Sequence, residues 1–221
     1  MRKKLVIFGL GDIAELAFFY FNTDSTYDVV AFTVDSSYIE DSTFCGLPVV
    51  AFENVAEHYA TGQHEMFIAL SYSKLNAVRK EKYFAAKALG YTLASYISSH
   101  ATVLNEGRIG ENCFILEDNT IQPFVKIGNN ITLWSGNHIG HHSTIQDHTF
   151  IASHVVVSGG VHIGEQCFIG VNATLRDHIK IEDKCVIGAG TLLLANAERE
   201  GVFIGSATER SKVPSSKLRK I

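Results

Sequence analysis

From Val103 onward every sixth residue of the chain is a branched aliphatic: Ile109, Ile115, Ile121, Ile127, Leu133, Ile139, Ile145, Ile151, Val157, Ile163, Ile169, Leu175, Ile181, Ile187 and Leu193. Neither an α-helix (period about 3.6) nor a plain strand (period 2) generates a strict six. A hexapeptide repeat does, because three short strands of about six residues each close one triangular coil of a parallel β-helix. Each aliphatic then stacks on the one 18 residues later, one coil up. A second inward position, four beyond the aliphatic, holds Cys113, Val125, Ile131, Ser143, Thr149, Val155, Val161, Cys167, Ala173, Ile179, Cys185 and Thr191. Glycine follows the aliphatic at 110, 128, 140, 164, 170 and 188, and the pattern predicts tight corners there that use its permissive backbone.

Before residue 100 the periodicity changes. Leu5–Gly9, Val29–Asp35, Met66–Ser71 and Tyr91–Ile97 read as strands, and Ile13–Phe21, Asn54–Tyr59 and Lys74–Leu89 as helices. Alternating strands and helices imply a small parallel sheet covered on both faces. The chain therefore divides into a Rossmann-like α/β domain (1–99) and a β-helix domain with a C-terminal tail (100–221). The first turn, GLGDIA, matches G-x-G-x-x-[GA] between a strand and a helix, and Asp35 ends the second strand. The half-domain is too short for a dinucleotide. It suits a mononucleotide portion, with Gly9, Gly11, Asp12 and Asp35 as candidate contacts and the helix N-terminus offering free N–H groups.

A formal charge of −4 gives no basic footprint, so nucleic acid and anionic membrane are poor partners. The apolar start is interrupted by Gly9, Gly11, Asp12 and Glu15 with no small-residue cleavage site after it. It reads as a cytoplasmic first strand and helix without membrane insertion. Cys113, Cys167 and Cys185 fall on inward positions and Cys45 in a loop, which predicts core packing in a reducing compartment. After Ala195 the ladder gives way to a loop, a last strand and a basic tail with Arg210, Lys212, Lys217, Arg219 and Lys220.

A β-helix has no evident need of histidine, so the run NHIGHHSTIQDHTFIASH marks the expected chemical centre. His141 and His142 stand at a corner, where an imidazole facing a groove suits general-base work. One coil on lies Gly159, whose backbone N–H could hold an oxyanion above the same face. His148, His162 and His178 are isolated and read as corner residues. Hexapeptide proteins of the carbonic anhydrase type hold their metal with a His pair five residues apart; no such pair is present, and no metal is expected.

A GxGxxA half-domain followed by a hexapeptide ladder with a His in its middle coils resembles the bacterial nucleotide-sugar N-acetyltransferases related to the sialic acid O-acetyltransferases. The resemblance runs from VIFGLGDIAE through LNAVR, IGHHSTI and GVNATL to GVFIGSA. It implies left-handed coiling, against the usual right-handed crossover, and a homotrimer with active sites between subunits. It further implies acetyl-CoA as co-substrate, and acetylation of the amino group of a nucleotide-linked dideoxy sugar for surface-glycan or O-antigen (lipopolysaccharide) synthesis. Matched to the family pattern, the base falls on His141, the oxyanion donor on Gly159, the pantetheine contacts on Val171 and Ala189, and further nucleotide contacts on Ser71 and Tyr72.

The chain departs from that pattern at several places. The carboxylate that usually follows the base is His142, with Asp147 as another acid within reach in the sequence. A frequent Asn seven residues before the base is Trp134, with Asn137 close by as a substrate-side candidate. A second His nine residues after the base is Phe150, with His154 near it on the coenzyme side. The G-x-P-A ending is GSAT. O-acetylation of a sugar hydroxyl, and a nucleotide-binding trimeric scaffold without catalysis, remain the two other readings.

Overall fold

The computed structural model describes residues 2–217; Arg219 and Lys220 of the expected basic tail lie outside them. The first half contains β1 (Lys3–Phe8), α1 (Asp12–Thr23), β2 (Tyr27–Val34), β3 (Thr43–Phe44), β4 (Leu47–Ala51), α2 (Val55–His58), β5 (His64–Ile68) and α3 (Ala77–Ala88). The sheet order is β3-β4-β2-β1-β5. It is parallel except for the β3–β4 hairpin, which closes through Cys45 and Gly46, both at positive φ. Leu5, Val6 and Ile7 are fully buried because both faces are covered. Ala14, Ala17 and Phe21 of α1 pack one face, and Tyr83 and Ala86 of α3 the other.

Two expectations are corrected here. The helix predicted from Lys74 starts at Ala77, because Lys74, Leu75 and Asn76 all take left-handed backbone. The strand predicted over Tyr91–Ile97 does not form as one piece. Leu93 makes a single bridge to Met66 of β5, and Tyr96–Ile97 already pairs with Phe114–Ile115 as the first rung of the β-helix. The chain thus passes from sheet to ladder a few residues before the expected switch near Ser98, with no linker.

The second half consists of two-residue strands stacked into three parallel sheets, one for each face of a triangular β-helix. The first face runs from Tyr96–Ile97 to Val202–Phe203, the second from Thr102–Val103 to Leu192–Leu193, and the third from Lys126–Ile127 to Lys180–Ile181. Rungs pair 18 residues apart, as in Thr132↔Phe150, His138↔Val156 and Thr144↔His162. The ladder aliphatics from Ile115 to Leu193 and the second inward set from Cys113 to Cys185 are buried in one continuous core. Each such aliphatic contributes about 1.5–3 kcal/mol of burial. Burial also pushes the Cys113 and Cys167 thiols up to about 12, so they remain protonated packing groups.

The corners are built differently from the expectation. The left-handed residue is the third after each aliphatic, and it recurs at every sixth position from Glu106 through Asn112 and Asp118 to Lys184 and Gly190. Apart from Glu106, Phe124, Gln166 and Lys184, these positions hold Gly, Asn, Asp or His, the residues that tolerate this backbone best. The glycine directly after the aliphatic serves another purpose. A Cβ at Gly140 would stand 2.5 Å from the Ser158 carbonyl carbon, and one at Gly170 would stand 2.6 Å from the Ala189 nitrogen. Close stacking of successive coils requires glycine there.

The two halves meet along the first face and the edge between the third and first faces. Arg79 of α3 is buried there without a carboxylate partner among the described residues. It donates to Thr132 Oγ1 (2.7 Å), Asn76 Oδ1 (3.1 Å) and the Thr149 carbonyl (3.3 Å), and its guanidinium lies 5.9 Å from the Phe150 ring centroid. Desolvation lowers its pKa to about 10, which still leaves it charged at neutral pH. Beside it the corner residues Asn112, Asn130 and His148 form a polar column. Asn112 Oδ1 accepts from the Ile68 N–H (2.8 Å), Asn112 Nδ2 donates to Asn130 Oδ1 (2.8 Å), and Asn130 Nδ2 meets His148 Nδ1 at 2.9 Å.

His148 is therefore no exposed corner residue. It is 2% exposed, and desolvation holds its pKa down to about 4. Between about pH 6.5 and 4 the unfolded chain binds a proton that the folded one refuses, so stability falls as pH falls through that window, by on the order of 3 kcal/mol at its limit. His148→Asn extends the asparagine column without a titrating ring. The difference in thermal midpoint between the wild type and His148→Asn should shift in favour of the variant as pH drops from 7.5 to 5.

Candidate active site

His141 sits at the corner between the second and third faces, next to the left-handed residue His142. Its backbone N–H donates to Gln122 Oε1 (2.8 Å), and its carbonyl accepts from the Gly160 N–H (2.8 Å). The ring lies over Gly159, as the 18-residue spacing predicts: a Cβ on Gly159 would come within 2.5 Å of His141 Cε1. Among the described residues the Gly159 N–H has no acceptor, so it is free to bind an external oxygen. His141 Nδ1 and His142 Nδ1 are 3.1 Å apart, and the His142 ring packs on Phe124 at 4.7 Å. Both imidazoles are exposed.

Among the described residues no carboxylate orients the pair. Among the described residues the one His–carboxylate approach within 4.0 Å is His178–Asp177. Asp147 is engaged on another edge, where it accepts from Asn129 N (2.7 Å) and Asn129 Nδ2 (3.1 Å). One ring of the pair must then donate its Nδ1 proton to the other. If His141 is the donor, its Nε2 is left with a lone pair, as a base requires. No three His, Cys, Asp or Glu side chains converge as a metal site among the described residues.

The other expected site residues are not brought to this corner. Val171 and Ala189 lie one above the other on the edge between the first and second faces, both exposed, with the Val171 carbonyl accepting from Gly190 N–H (2.8 Å). His154 is on that edge too, its ring covering Gly136, where a Cβ would stand 2.5 Å from Nδ1. Asn137 is buried and holds the corner together through the Trp134 carbonyl (2.5 Å) and the Val155 N–H (2.8 Å). Trp134 and Phe150 stack in the seam, with ring centroids 6.0 Å apart. Phe150 also packs on Phe168 and is buried, so its packing is that of a seam residue rather than of an open coenzyme contact. Tyr72 reaches the same aromatic column, 4.8 Å from Phe168, and Ser71 Oγ pairs with Ser73 Oγ (3.2 Å).

A second candidate site opens at the carboxyl end of the parallel sheet. A cavity of about 720 Å³ is lined by Gly9, Asp35 and Tyr38, with Glu81 and Lys82 contributed by α3. Gly9 has φ +130°, and a Cβ there would meet the Ala69 carbonyl oxygen at 2.7 Å, so sheet and turn both require glycine. Gly11 faces open space. The first turn of α1 carries exposed Asp12 and Glu15, which offset the positive helix end that the motif predicts for a phosphate. Lys82, which the sequence does not single out, bonds Asp35 Oδ1 at 2.7 Å.

The chain thus joins a small, mostly parallel sheet of order β3-β4-β2-β1-β5 directly to a triangular parallel β-helix. Residues 160–195 match the family described as the hexapeptide repeat of succinyl-transferase. No curated protein matches the sequence. Solved structures superpose over nearly the whole chain. The acetyltransferase domain of PglB from Neisseria gonorrhoeae FA1090, in complex with acetyl coenzyme A, has a TM-score of 0.81 at 20% identity, covering 91% of this chain and 96% of its own. PerB from Caulobacter crescentus, in complex with CoA and GDP-perosamine, has a TM-score of 0.81 at 22% identity, covering 93% and 95%. WeeI from Acinetobacter baumannii AYE has 0.77 at 18% identity, covering 92% and 97%. The fold expected from the sequence, an α/β half and a left-handed parallel β-helix, is the fold of these proteins.

The contact between His141 and Gly159 has a direct test. Gly159→Ala should displace the imidazole, seen as shifted His141 ring resonances in histidine-labelled NMR spectra. The thermal midpoint should change little, because the corner is exposed.

Proposed function

We propose that the protein transfers acetyl from acetyl-CoA to the amino group of a nucleotide-linked amino sugar, by direct attack. The observation that carries this reading is the exposed His141 ring lying against Gly159, whose backbone N–H has no acceptor among the described residues. Matched structures add support: one is described in complex with acetyl coenzyme A, and two from Caulobacter crescentus, one of them a variant of a perosamine N-acetyltransferase, in complex with CoA and GDP-perosamine.

In the reaction His141 Nε2 takes a proton from the amine as its nitrogen bonds the thioester carbonyl carbon. Gly159 N–H holds the oxyanion that forms. The C–S bond then breaks, and the coenzyme thiolate leaves with the proton as free thiol. No covalent enzyme intermediate and no metal are required. His142 acts through its Nδ1 contact, fixing the ring that serves as base.

Within one chain the His141 edge is separate from the edge of Val171 and Ala189 and from the sheet cavity. We infer a homotrimer in which the His141 corner of one subunit faces the α/β half and the coenzyme edge of another. Exposed Phe124 and Val156 near that corner supply apolar surface for the contact. The product is a donor for surface-glycan or O-antigen assembly, made in the cytoplasm where acetyl-CoA and nucleotide sugars occur. No helix among the described residues is long and apolar enough to cross a membrane.

Thiol release from acetyl-CoA, measured against UDP-, dTDP- and GDP-linked amino sugars, tests the reading. Release with amino acceptors is expected; release only with hydroxyl acceptors would make it an O-acetyltransferase, and silence throughout would leave a scaffold. His141→Ala should lower turnover at least about 100-fold, and near-normal turnover would remove His141 from the mechanism. His142→Phe should lower kcat more than it raises KM, while His142→Glu should retain kcat and move the acid limb of the pH–rate profile upward, since a carboxylate favours the protonated base.

A further inference from the structure

We propose that His178 is a second catalytic residue of the transfer, donating the proton that turns the departing coenzyme thiolate into a thiol. The inference deepens the acetyl-transfer reading and rests on it. His178 stands at the same corner as His141, two coils on, and Gly159–Gly160 occupies the coil between them. Its place in the sequence marks it only as an isolated corner residue. In the fold both rings converge on that dipeptide from opposite sides. His141 lies outside the left-handed position, and its ring leans onward against Gly159. His178 is left-handed, and histidines at such positions lean toward the coil before. The His142 ring packs on Phe124, His148 Nδ1 meets Asn130 Nδ2, and the His154 ring covers Gly136. The His178 ring accordingly covers Gly160, with Nδ1 where a Cβ on that glycine would fall. Backbone bonds tie the three coils together: Gly160 N–H donates to the His141 carbonyl (2.8 Å), and His178 N–H donates to the Gly159 carbonyl (3.0 Å).

Neither glycine carries a side chain, so the two rings bound a slot whose back wall is the peptide that offers the Gly159 N–H. With the carbonyl oxygen on that N–H and the attacking nitrogen beside His141, the sulfur is left on the far side, where His178 stands. The two imidazoles also differ in their surroundings. His141 has His142 Nδ1 at 3.1 Å. His178 Nε2 lies 4.0 Å from Asp177 Oδ2, which supplies compensating charge when the ring is cationic and leaves Nδ1 turned to the slot. The other charged groups around it are Arg176 and Lys180 on its own coil, Lys180 being held by Glu182 at 2.8 Å, with His162 beneath Lys180 on the third face. The step balances. His141 takes a proton from the amine as the C–N bond forms, the C–S electron pair leaves on sulfur, and His178 Nδ1–H protonates it. Water then returns the proton held on His141 to His178.

Thiol release with whichever nucleotide-linked amino sugar the wild type accepts, followed across pH, compares the wild type with His178→Asn. Asparagine already occupies the left-handed corners at 112, 130 and 172, so the thermal midpoint should be retained. The variant's kcat should fall roughly 10- to 100-fold, toward the low end of what a positioned acid gives, because a thiolate leaves readily. The KM for acetyl-CoA should change little. The wild type should lose turnover on the alkaline side, where a cationic acid is lost, and the variant should lack that limb. Retained kcat, a raised KM with kcat unchanged (a binding contact only), or an alkaline limb that both proteins share or both lack would overturn the inference. Any of these, with thiol release by the wild type, leaves acetyl transfer standing. Silence of the wild type with every acceptor removes the transfer reading and this inference with it.

Discussion

Parallel stacking at 18 residues per coil is the constraint on which the rest of the structure depends. Each coil must turn three corners, and at each corner one residue takes left-handed backbone, which costs an ordinary L-residue about 1–2 kcal/mol. The inward aliphatics offset that cost, since each contributes a comparable or larger burial energy. The same stacking brings successive coils so close that only glycine fits after the aliphatic where backbones touch, as at Gly140 and Gly170. Corner composition is thus set by two separate demands, a dihedral demand at one position and a steric one two residues earlier.

Those demands change how the histidines are read. His142, His148, His154 and His178 all occupy left-handed corner positions, where His is favoured alongside Asn and Asp for its backbone tolerance. His141 does not, and its ring is the one stacked over Gly159. His142 serves both demands, satisfying the corner dihedral while placing Nδ1 3.1 Å from its neighbour. A left-handed corner admits Asp or Asn as well, so the imidazole at this place is a choice of chemistry that the backbone merely permits.

The ladder, its inward residues and the pairing of His141 with Gly159 were legible because they follow from a strict period and its multiple of three. The α/β half was legible in outline, since Leu5–Gly9 is a continuous apolar run and Val29–Asp35 reads as a second strand after a helical stretch. What stayed hidden depends on which edge of the triangle the first half covers, and no periodicity encodes that. His148 reads as an isolated corner residue until α3 is laid over it, and Phe150 reads as a site residue until Arg79 and Trp134 enclose it. Lys82 is an ordinary helix lysine in the sequence; only the fold places it against Asp35. The β3–β4 hairpin was missed because Cys45–Gly46 is an inconspicuous turn signal between short segments.

The seam also explains how two differently built halves can work as one body. Arg79 has no counter-charge among the described residues, so its stabilisation comes from the Thr149 carbonyl, the Thr132 hydroxyl, the Asn76 amide oxygen and the face of Phe150. Such partners hold a guanidinium only if they are fixed in advance, and all but Asn76 belong to rungs of the β-helix or the corner between them. Asn76 completes the link, because its left-handed backbone ends the loop before α3 while its Nδ2 donates to the Cys167 carbonyl (3.0 Å). The loop that borders the sheet cavity is therefore tied to the same rigid ladder that positions His141. Precision at the proposed transfer site and in the wall of the sheet cavity then has one source, the regular stacking of the coils.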